Sequence, residues 1–247
     1  AHFAIWPLVV FIILSGDGRW FGALLGALLP GGRRALRSMR LVMGSMEGAL
    51  VRSADAGQTW TGLAGPGDEW GAFSALAAAG QGDEMALLVA SGRELSVSWT
   101  AGDTWRACSP PLSAEISALA LAGPVGTGHG LALVGTSSGQ VLASNDVGAN
   151  WEQRASFPGE TAIAVASAGT PQCPAIYAVT ARPLEGGRWQ LSLRLGASGH
   201  TLSTCEAAQP AAQLHLAADG RLACALHERL VCLQGGQVRA ESQPFGA

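Results

Sequence analysis

One pattern of eight residues recurs along the chain, and its spacing limits the folds that the sequence can adopt. The pattern, which we call the octet, reads SADAGQTW up to Trp60, SWTAGDTW up to Trp105 and SNDVGANW up to Trp151. Successive copies therefore lie 45 and 46 residues apart, and a decayed fourth copy, LGASGHTL, ends at Leu202. A fixed period of this length is typical of repeat proteins, in which each repeat is one structural unit that packs on its neighbours.

Each octet has the same surroundings. Two apolar runs joined by a Gly-containing turn precede it, and a short strand, a loop rich in Pro or Gly and another apolar run follow it. Four short strands per period predict a β-propeller. A β-sandwich is the competing all-β interpretation, although it does not require one motif at near-constant spacing. The last run of each period is almost wholly apolar, which predicts an inner strand buried on both faces; these runs are 72–79, 116–122 and 161–168.

The residue types of the octet favour turn formation. An Asp side chain bonds main-chain N–H groups two residues on and closes a turn, Gly supplies a positive φ without steric cost, and Trp offers a large apolar face with an indole N–H for a main-chain acceptor. A catalytic acid is not needed three times, nor is it replaced by a threonine, as Thr100 replaces it in the second octet. We therefore predict that Asp55 and Asp146 are structural.

The octet resembles the Asp box of bacterial neuraminidase repeats, Ser-x-Asp-x-Gly-x-Thr-Trp. The first copy matches at every defined position, the second has Thr100 in the Asp place, and the third has Asn150 in the Thr place. The resemblance covers roughly residues 40–242. It implies a sialidase-like propeller in which the octet joins the third and fourth strands of a blade, away from the ligand face. The matching residues are Ser53, Asp55, Gly57, Thr59, Trp60, Ser98, Gly102, Thr104, Trp105, Ser144, Asp146, Gly148 and Trp151.

With the octet as a marker, the sequence predicts an N-terminal segment (1–39) followed by an all-β domain (40–247), a β-propeller of about five four-stranded blades. The first blade lacks its inner strand unless the apolar N-terminal segment supplies one. Either the five blades close into a compact ring, or the chain is a piece of a larger propeller and exposes two blade edges. The predicted blades span 40–67, 72–112, 116–158, 161–208 and 212–242.

The N-terminal segment is apolar over FAIWPLVVFIIL (3–14), is interrupted by Asp17 and Arg19, and ends in an arginine-rich stretch. Three interpretations stay open: the tail of a membrane segment with an interfacial piece whose arginines face anionic headgroups, a buried helix or strand of the globular domain, or a piece without stable structure of its own. The first implies membrane association through residues 3–40. Its arginines favour the cytoplasmic side, whereas disulfides require an extracytoplasmic, periplasmic location.

Composition and single residues argue against several activities. A formal net charge of −3 and 13% charged residues leave no basic field for nucleic acid. Sialidases use an arginine triad, a Tyr nucleophile and an acid/base Asp, but the one Tyr of this chain, Tyr177, falls in a predicted buried strand. The glutamates form no evident pair for glycoside hydrolysis, and the histidines lack metal-ligand spacing. We therefore predict no catalytic residue, no metal and no cofactor.

Four of the five cysteines form two candidate disulfides. Cys173 and Cys205 begin and end the fourth blade, and Cys224 and Cys232 flank the turn LHER, which places them opposite each other on a hairpin. Both pairs are predicted disulfides if the domain is extracytoplasmic, and buried small apolar residues if it is not. Cys108 has no candidate partner.

The families that this chain resembles include photosystem assembly and stability propellers, which carry the same octets and bind membrane-protein segments. It implies a non-catalytic propeller with a protein partner, a scaffold or an assembly factor for a membrane-associated complex. Two alternatives stay open: a glycoside hydrolase or glycan-binding propeller, and a truncated or fused fragment without independent function. The sequence predicts no particular binding residue.

Overall fold

In the computed structural model, most of the described residues lie in β-strands. Among the described residues, twenty strands form five four-stranded sheets, and the one helical element is a 3₁₀ turn at Glu185–Gly187. This confirms the predicted all-β fold with five four-stranded blades, which we number 1 to 5 in chain order. The structure describes residues 10–14, 41–45, 49–55, 58–67, 71–79, 85–122, 130–170, 173–196, 198–216, 222–226, 229–234 and 237–242.

Within each blade the strands are neighbours in chain order. Blade 1 contains β1 (Val10–Leu14), β2 (Leu41–Ser45), β3 (Leu50–Ser53) and β4 (Thr61–Leu63), and blade 2 contains β5 (Ala75–Ala79), β6 (Ala86–Ser91), β7 (Glu94–Ser98) and β8 (Arg106–Cys108). Blade 3 contains β9 (Ile116–Ala122), β10 (Leu131–Thr136), β11 (Gln140–Ser144) and β12 (Glu152–Ser156). Blade 4 contains β13 (Thr161–Thr170), β14 (Cys173–Pro183), β15 (Trp189–Leu195) and β16 (His200–Ala207), and blade 5 contains β17 (Ala212–Leu216), β18 (Leu222–Leu226), β19 (Arg229–Gln234) and β20 (Gln237–Glu241).

The pairing of β1 with β2 is parallel, whereas the other strand pairs are antiparallel. Val10 pairs with Leu41 and Leu14 pairs with Ser45, so that the N-terminal segment supplies the first strand of blade 1. The rest of the predicted membrane-associated segment, 3–40, lies outside the described residues. No helix that the structure describes is long and apolar enough to cross a membrane.

Four apolar clusters hold the blades together, and each cluster lies between two consecutive blades. The described residues show no such cluster between blade 5 and blade 1. Members of the four clusters include Leu50 and Leu87 (blades 1 and 2), Leu88 and Val134 (blades 2 and 3), Leu133 and Ile176 (blades 3 and 4), and Val179 and Val231 (blades 4 and 5).

Successive side chains of a strand point to opposite faces of the sheet, so that alternate side chains of a blade pack against the two neighbouring blades. On β9, Leu119 and Leu121 pack toward blade 2, whereas Ala118, Ala120 and Ala122 pack toward blade 4. Blade 3 is therefore covered on both faces, which explains why its strands β9 and β10 are mostly apolar.

The inner strands are less buried than the sequence predicts. All six residues of β10 are buried, but only two of the seven residues of the inner strand β9 are. Neighbouring blades thus cover both faces of β9, but five of its seven residues are only half-buried, so that the predicted full burial does not hold for this strand. The reason is that an inner strand pairs with its blade along one edge only, so that solvent reaches its side chains from the other edge.

Candidate binding surface

The octets join the third and fourth strands of blades 1, 2 and 3, as the resemblance implies. In the first octet the Ser53 hydroxyl donates to Asp55 Oδ1 at 2.8 Å. The same Asp55 Oδ1 accepts the main-chain N–H of Thr59 at 2.8 Å, and Asp55 Oδ2 accepts the Thr59 hydroxyl at 2.7 Å. Asp55 therefore closes a five-residue turn. Gly57, the predicted positive-φ residue of this octet, lies outside the described residues.

The third octet repeats this arrangement. The Ser144 hydroxyl donates to Asp146 Oδ1 at 2.7 Å and accepts the main-chain N–H of Gly148 at 2.7 Å. Asp146 Oδ1 accepts the main-chain N–H of Asn150 at 2.8 Å, and the Asn150 amide donates to Asp146 Oδ2 at 2.6 Å. Asn150 thus replaces the threonine without loss of the side-chain bond.

The second octet makes the same turn without a carboxylate. The Ser98 hydroxyl accepts the main-chain N–H of Gly102 at 2.8 Å. Thr100 Oγ1 accepts the main-chain N–H of Thr104 at 2.8 Å, and the two threonine hydroxyls lie 2.9 Å apart. A hydroxyl at this place makes the bonds that the carboxylate makes in the other octets. The turn therefore needs an acceptor there and does not need an acid.

Hydrogen bonds lower the pKa of Asp55 and of Asp146 to about 2. For Asp55 the main cause is the main-chain N–H of Thr59, followed by the Thr59 hydroxyl. For Asp146 burial raises the pKa, but the bonds from Asn150 and Ser144 together outweigh it. A carboxylate with so low a pKa stays ionised near neutral pH and is a poor general acid.

The glycines of the octets lie against the preceding blade. Gly102 and Gly148 have φ values of 100° and 98°, which favour glycine. A Cβ on Gly102 would lie 2.5 Å from Leu63 Cδ1 of blade 1, and a Cβ on Gly148 would lie 2.5 Å from Cys108 Sγ of blade 2. The second and third octets therefore brace their own blades against the outer strand of the blade before.

The indoles of the octets differ in their surroundings. Trp105 Nε1 donates to the Ala64 carbonyl of blade 1 at 2.9 Å. This indole therefore has a main-chain acceptor, as the sequence predicts. Trp151 Nε1 is buried and has no hydrogen-bond partner within the part of the chain that the structure describes. Trp60, in the first blade, is 38% exposed. The predicted bond of the indole to a main-chain acceptor is therefore confirmed in the second octet.

The candidate disulfide between Cys173 and Cys205 is excluded by the strand register. Cys205 pairs with Leu191, and Leu191 pairs with Ala181 on β14. Cys173 is the first residue of β14 and precedes Ala181 by eight residues, which is about 26 Å along a strand. Because a disulfide requires Cα atoms within about 7 Å of each other, this prediction is wrong.

The candidate disulfide between Cys224 and Cys232 is also wrong, because the hairpin register differs by one residue from the predicted one. Cys224 lies opposite Val231, and Cys232 lies opposite Ala223. Neighbouring register positions point to opposite faces of a sheet. Cys224 is buried, Cys232 is exposed, and both thiols are free.

Tyr177 and Glu160, whose residue types can take part in glycoside hydrolysis, have structural surroundings in this chain. Tyr177 is 2% exposed and buried in the sheet of blade 4, as the sequence predicts. Glu160 Oε1 accepts a bond of 2.6 Å from Arg194, whose guanidinium lies 5.2 Å from the centre of the Phe157 ring. This pair joins the loop after blade 3 to blade 4. Among the described residues no group of three or more His, Cys, Asp or Glu side chains is placed to hold a metal ion.

The inner strands form the most distinctive surface of the described chain. The strands β1, β5, β9, β13 and β17 contain no Asp, Glu, Lys or Arg. Each of them pairs with a strand of its blade along one edge only. We call the half-exposed apolar residues of these strands the axial surface; they are Ala78, Ala79, Leu119, Ala120, Leu121, Ala122, Ile163, Ala164, Ala212 and Leu214.

Five four-stranded sheets that pack face against face define the fold of the described residues as a β-propeller. No protein-family model matches it, and no curated protein matches its sequence.

Several solved propellers are similar in fold. The β-propeller domain of Cps50 (Swd1) from Myceliophteria thermophila is 14% identical with a TM-score of 0.54, over 83% of this chain and 68% of that chain. YCF48 bound to a D1 peptide is 17% identical with a TM-score of 0.47 over 82% of this chain, which spans 64% of the YCF48 chain. A protein of unknown function from Bacteroides caccae is 12% identical with a TM-score of 0.49, over 82% of this chain and 72% of that chain. Identities this low concern the fold alone.

Proposed function

We propose that the chain is a non-catalytic, protein-binding propeller that acts as a scaffold or as an assembly or stability factor for a membrane-associated complex. The observation that carries the proposal is the uncharged axial surface. The octet acids, which are the most regular polar feature of the sequence, are occupied by turn bonds. Function is therefore expected on the inner strands and not on the octets.

The chemistry of the axial surface suits an apolar peptide segment. Glycoside hydrolysis requires two carboxyl groups that face the substrate, and the inner strands contain none. An extended peptide is recognised by main-chain groups along a strand edge and by apolar contacts beside it. Among the described strands, the inner strands β5, β9, β13 and β17 each have one edge without a partner strand, flanked by Ala, Leu or Ile side chains.

The chemistry of the axial surface suits an unassembled segment of a membrane protein as the partner. A segment of a membrane protein that is not yet assembled exposes apolar side chains on a main chain with unsatisfied hydrogen bonds, and both groups would be satisfied at the axial surface. We place this binding on the extracytoplasmic side, where the cysteines of the chain can oxidise. Protease accessibility of the intact chain in spheroplasts tests the location, because a periplasmic chain is cleaved and a cytoplasmic one is protected.

The test of binding is affinity purification of the tagged chain from solubilised native membranes. Ala122 ends the inner strand β9 and is half-buried, whereas Gln153 lies exposed on the outer strand of the same blade. We expect the wild type and Gln153→Arg to recover the same membrane complex. We expect Ala122→Arg to lose it about tenfold or more, a change of about 1.4 kcal/mol in binding.

The melting temperature of each variant is measured first, because recovery of the complex can be compared only between variants of equal stability. Recovery of a lone monomer by the wild type contradicts the proposal. Equal recovery by Ala122→Arg and Gln153→Arg contradicts the placement of binding on the axial surface.

A further inference from the structure

Cys205 occupies a position that contacts the next blade. Leu63 and Cys108 are the third residues after the first two octets, and each lies against the octet glycine of the following blade. Cys205 is the third residue after the decayed octet, which ends at Leu202. Blade 5 has no octet, because only residues 235–236 connect β19 to β20. Among the described residues, the interface between blades 4 and 5 therefore lacks the brace that the second and third octets supply between blades 1 and 2 and between blades 2 and 3.

In place of an octet glycine, Cys205 meets strand β18 of blade 5. The Cys205 thiol lies 3.9 Å from the Leu226 carbonyl, to which it donates. Cys224 precedes Leu226 by two residues, and both side chains are 0% exposed on the same face of β18. Cys205 packs against the apolar cluster that contains Cys224 and Leu226. The two cysteines thus share one interface.

We propose that Cys205 and Cys224 are a modification site, at which a disulfide oxidant forms a covalent bond between blades 4 and 5. This bond takes the place of the missing octet brace. The pairing differs from both pairings that the sequence predicts, because it joins one cysteine of each predicted pair across the blade interface.

The reaction proceeds in two exchange steps. Cys205, which is half-buried and the more accessible thiol, loses its proton and attacks a sulfur of a disulfide oxidant such as oxidised glutathione. One glutathione leaves as the thiol, and the other stays on Cys205 as a mixed disulfide. The Cys224 thiol then loses its proton and attacks the Cys205 sulfur, and the second glutathione leaves. Both cysteines are oxidised, and the oxidant is reduced to two thiols.

The second step is expected to be the slow one. Burial raises the pKa of the Cys224 thiol to about 12, and the nearby Cys205 adds to this effect. Only the thiolate attacks a disulfide, so that little Cys224 reacts at neutral pH. The mixed disulfide on Cys205 should therefore accumulate before the bridge forms.

The experiment is oxidation of the full chain with oxidised glutathione, followed by mass spectrometry of the non-reduced peptides over time. We expect a glutathione adduct on Cys205 that converts into a Cys205–Cys224 bridge with the loss of the second glutathione. Bridge formation should raise the thermal midpoint by about 5 °C or more, because it closes a loop of roughly 20 residues in the unfolded chain.

Three variants sharpen the test. Cys224→Ala should stop the reaction at the Cys205 adduct, Cys205→Ser should give no bridge, and Cys108→Ser should form the bridge as the wild type does. The proposal is overturned if the wild type bridges Cys205 to another cysteine, or if Cys232 alone is modified. Because the peptide map of the wild type decides between these results, the test does not depend on the folding of a variant.

Discussion

Blade 3 and blade 5 have the same four-strand topology but different surroundings, and the difference shows what the octets do. In blade 3, β10 is buried along its whole length, and an octet braces the blade against blade 2. In blade 5, buried and exposed residues alternate along β19, all of β20 is exposed, and Leu230 is 46% exposed. Blade 5 has one covered face among the described residues, and it has no octet.

This comparison separates two sources of stability. The apolar clusters supply burial between blades, which scales with the number of covered faces. The octet supplies local hydrogen bonds and a close glycine contact to the preceding blade. Blade 3 has both sources, whereas blade 5 relies on its cluster with blade 4 and, as we propose, on a covalent bond.

The largest expected effect comes from deleting the same side chain in the two blades. Leu133 in β10 is 1% exposed, and Leu230 in β19 is 46% exposed. We expect Leu133→Ala to lower the free energy of unfolding by about 3 kcal/mol through the lost burial and the cavity. Leu230→Ala should change it by less than about 0.5 kcal/mol. Urea unfolding of both variants measures this, and equal losses would show that blade 5 is covered as blade 3 is.

The next effect tests the close contact of the octet glycine. Gly148 and Gly159 have φ values of 98° and 79°, but only Gly148 has a neighbour, Cys108, in the place of a Cβ. Gly159→Ala should cost about 1 kcal/mol through strain alone. Gly148→Ala should cost about 2–3 kcal/mol, because it adds an overpacked contact. Similar losses in urea unfolding would mean that the octet does not press on blade 2.

The smallest effect is a pH dependence of the octet. The pKa of Asp146 is about 2 in the folded chain and about 3.9 in an unfolded chain. A lowered folded pKa stabilises above the unfolded value, and the stabilisation is lost as the pH falls from about 4 to about 2. The difference in thermal midpoint between the wild type and Asp146→Asn should therefore shrink over this range. A difference that stays constant from pH 5 to pH 2 would contradict the assigned bonds.

The sequence predicts the fold well because its octets are local. Ser98, Thr100 and Gly102 form their turn through bonds within one octet, so that the octet sequence alone predicts the turn. Its spacing then predicts five blades, and the predicted bounds of blades 2 to 5 are close to the observed ones. The parallel pairing of β1 could not be predicted in the same way, because it joins strands that are far apart in the chain.

The errors in the cysteine pairs have a related cause. A one-residue change in register moves a side chain to the opposite face. The predicted pairing of Cys224 with Cys232 is wrong by that amount, since Cys224 pairs with Val231. The contact between Cys205 and blade 5 depends on how two blades pack, which no local pattern encodes. The axial surface could be recognised in part, because its strands are the uncharged runs that follow the octets.

The central claim is that the octets brace the blades and that binding takes place elsewhere, on the axial surface. Binding of the membrane complex by Asp146→Ala, at a temperature at which the variant is folded, tests this claim most directly. The account predicts binding equal to that of the wild type, with a free energy of unfolding lower by about 1–2 kcal/mol from the lost hydrogen bonds. Loss of binding at unchanged stability would contradict it, since Asp146 would then belong to the functional site.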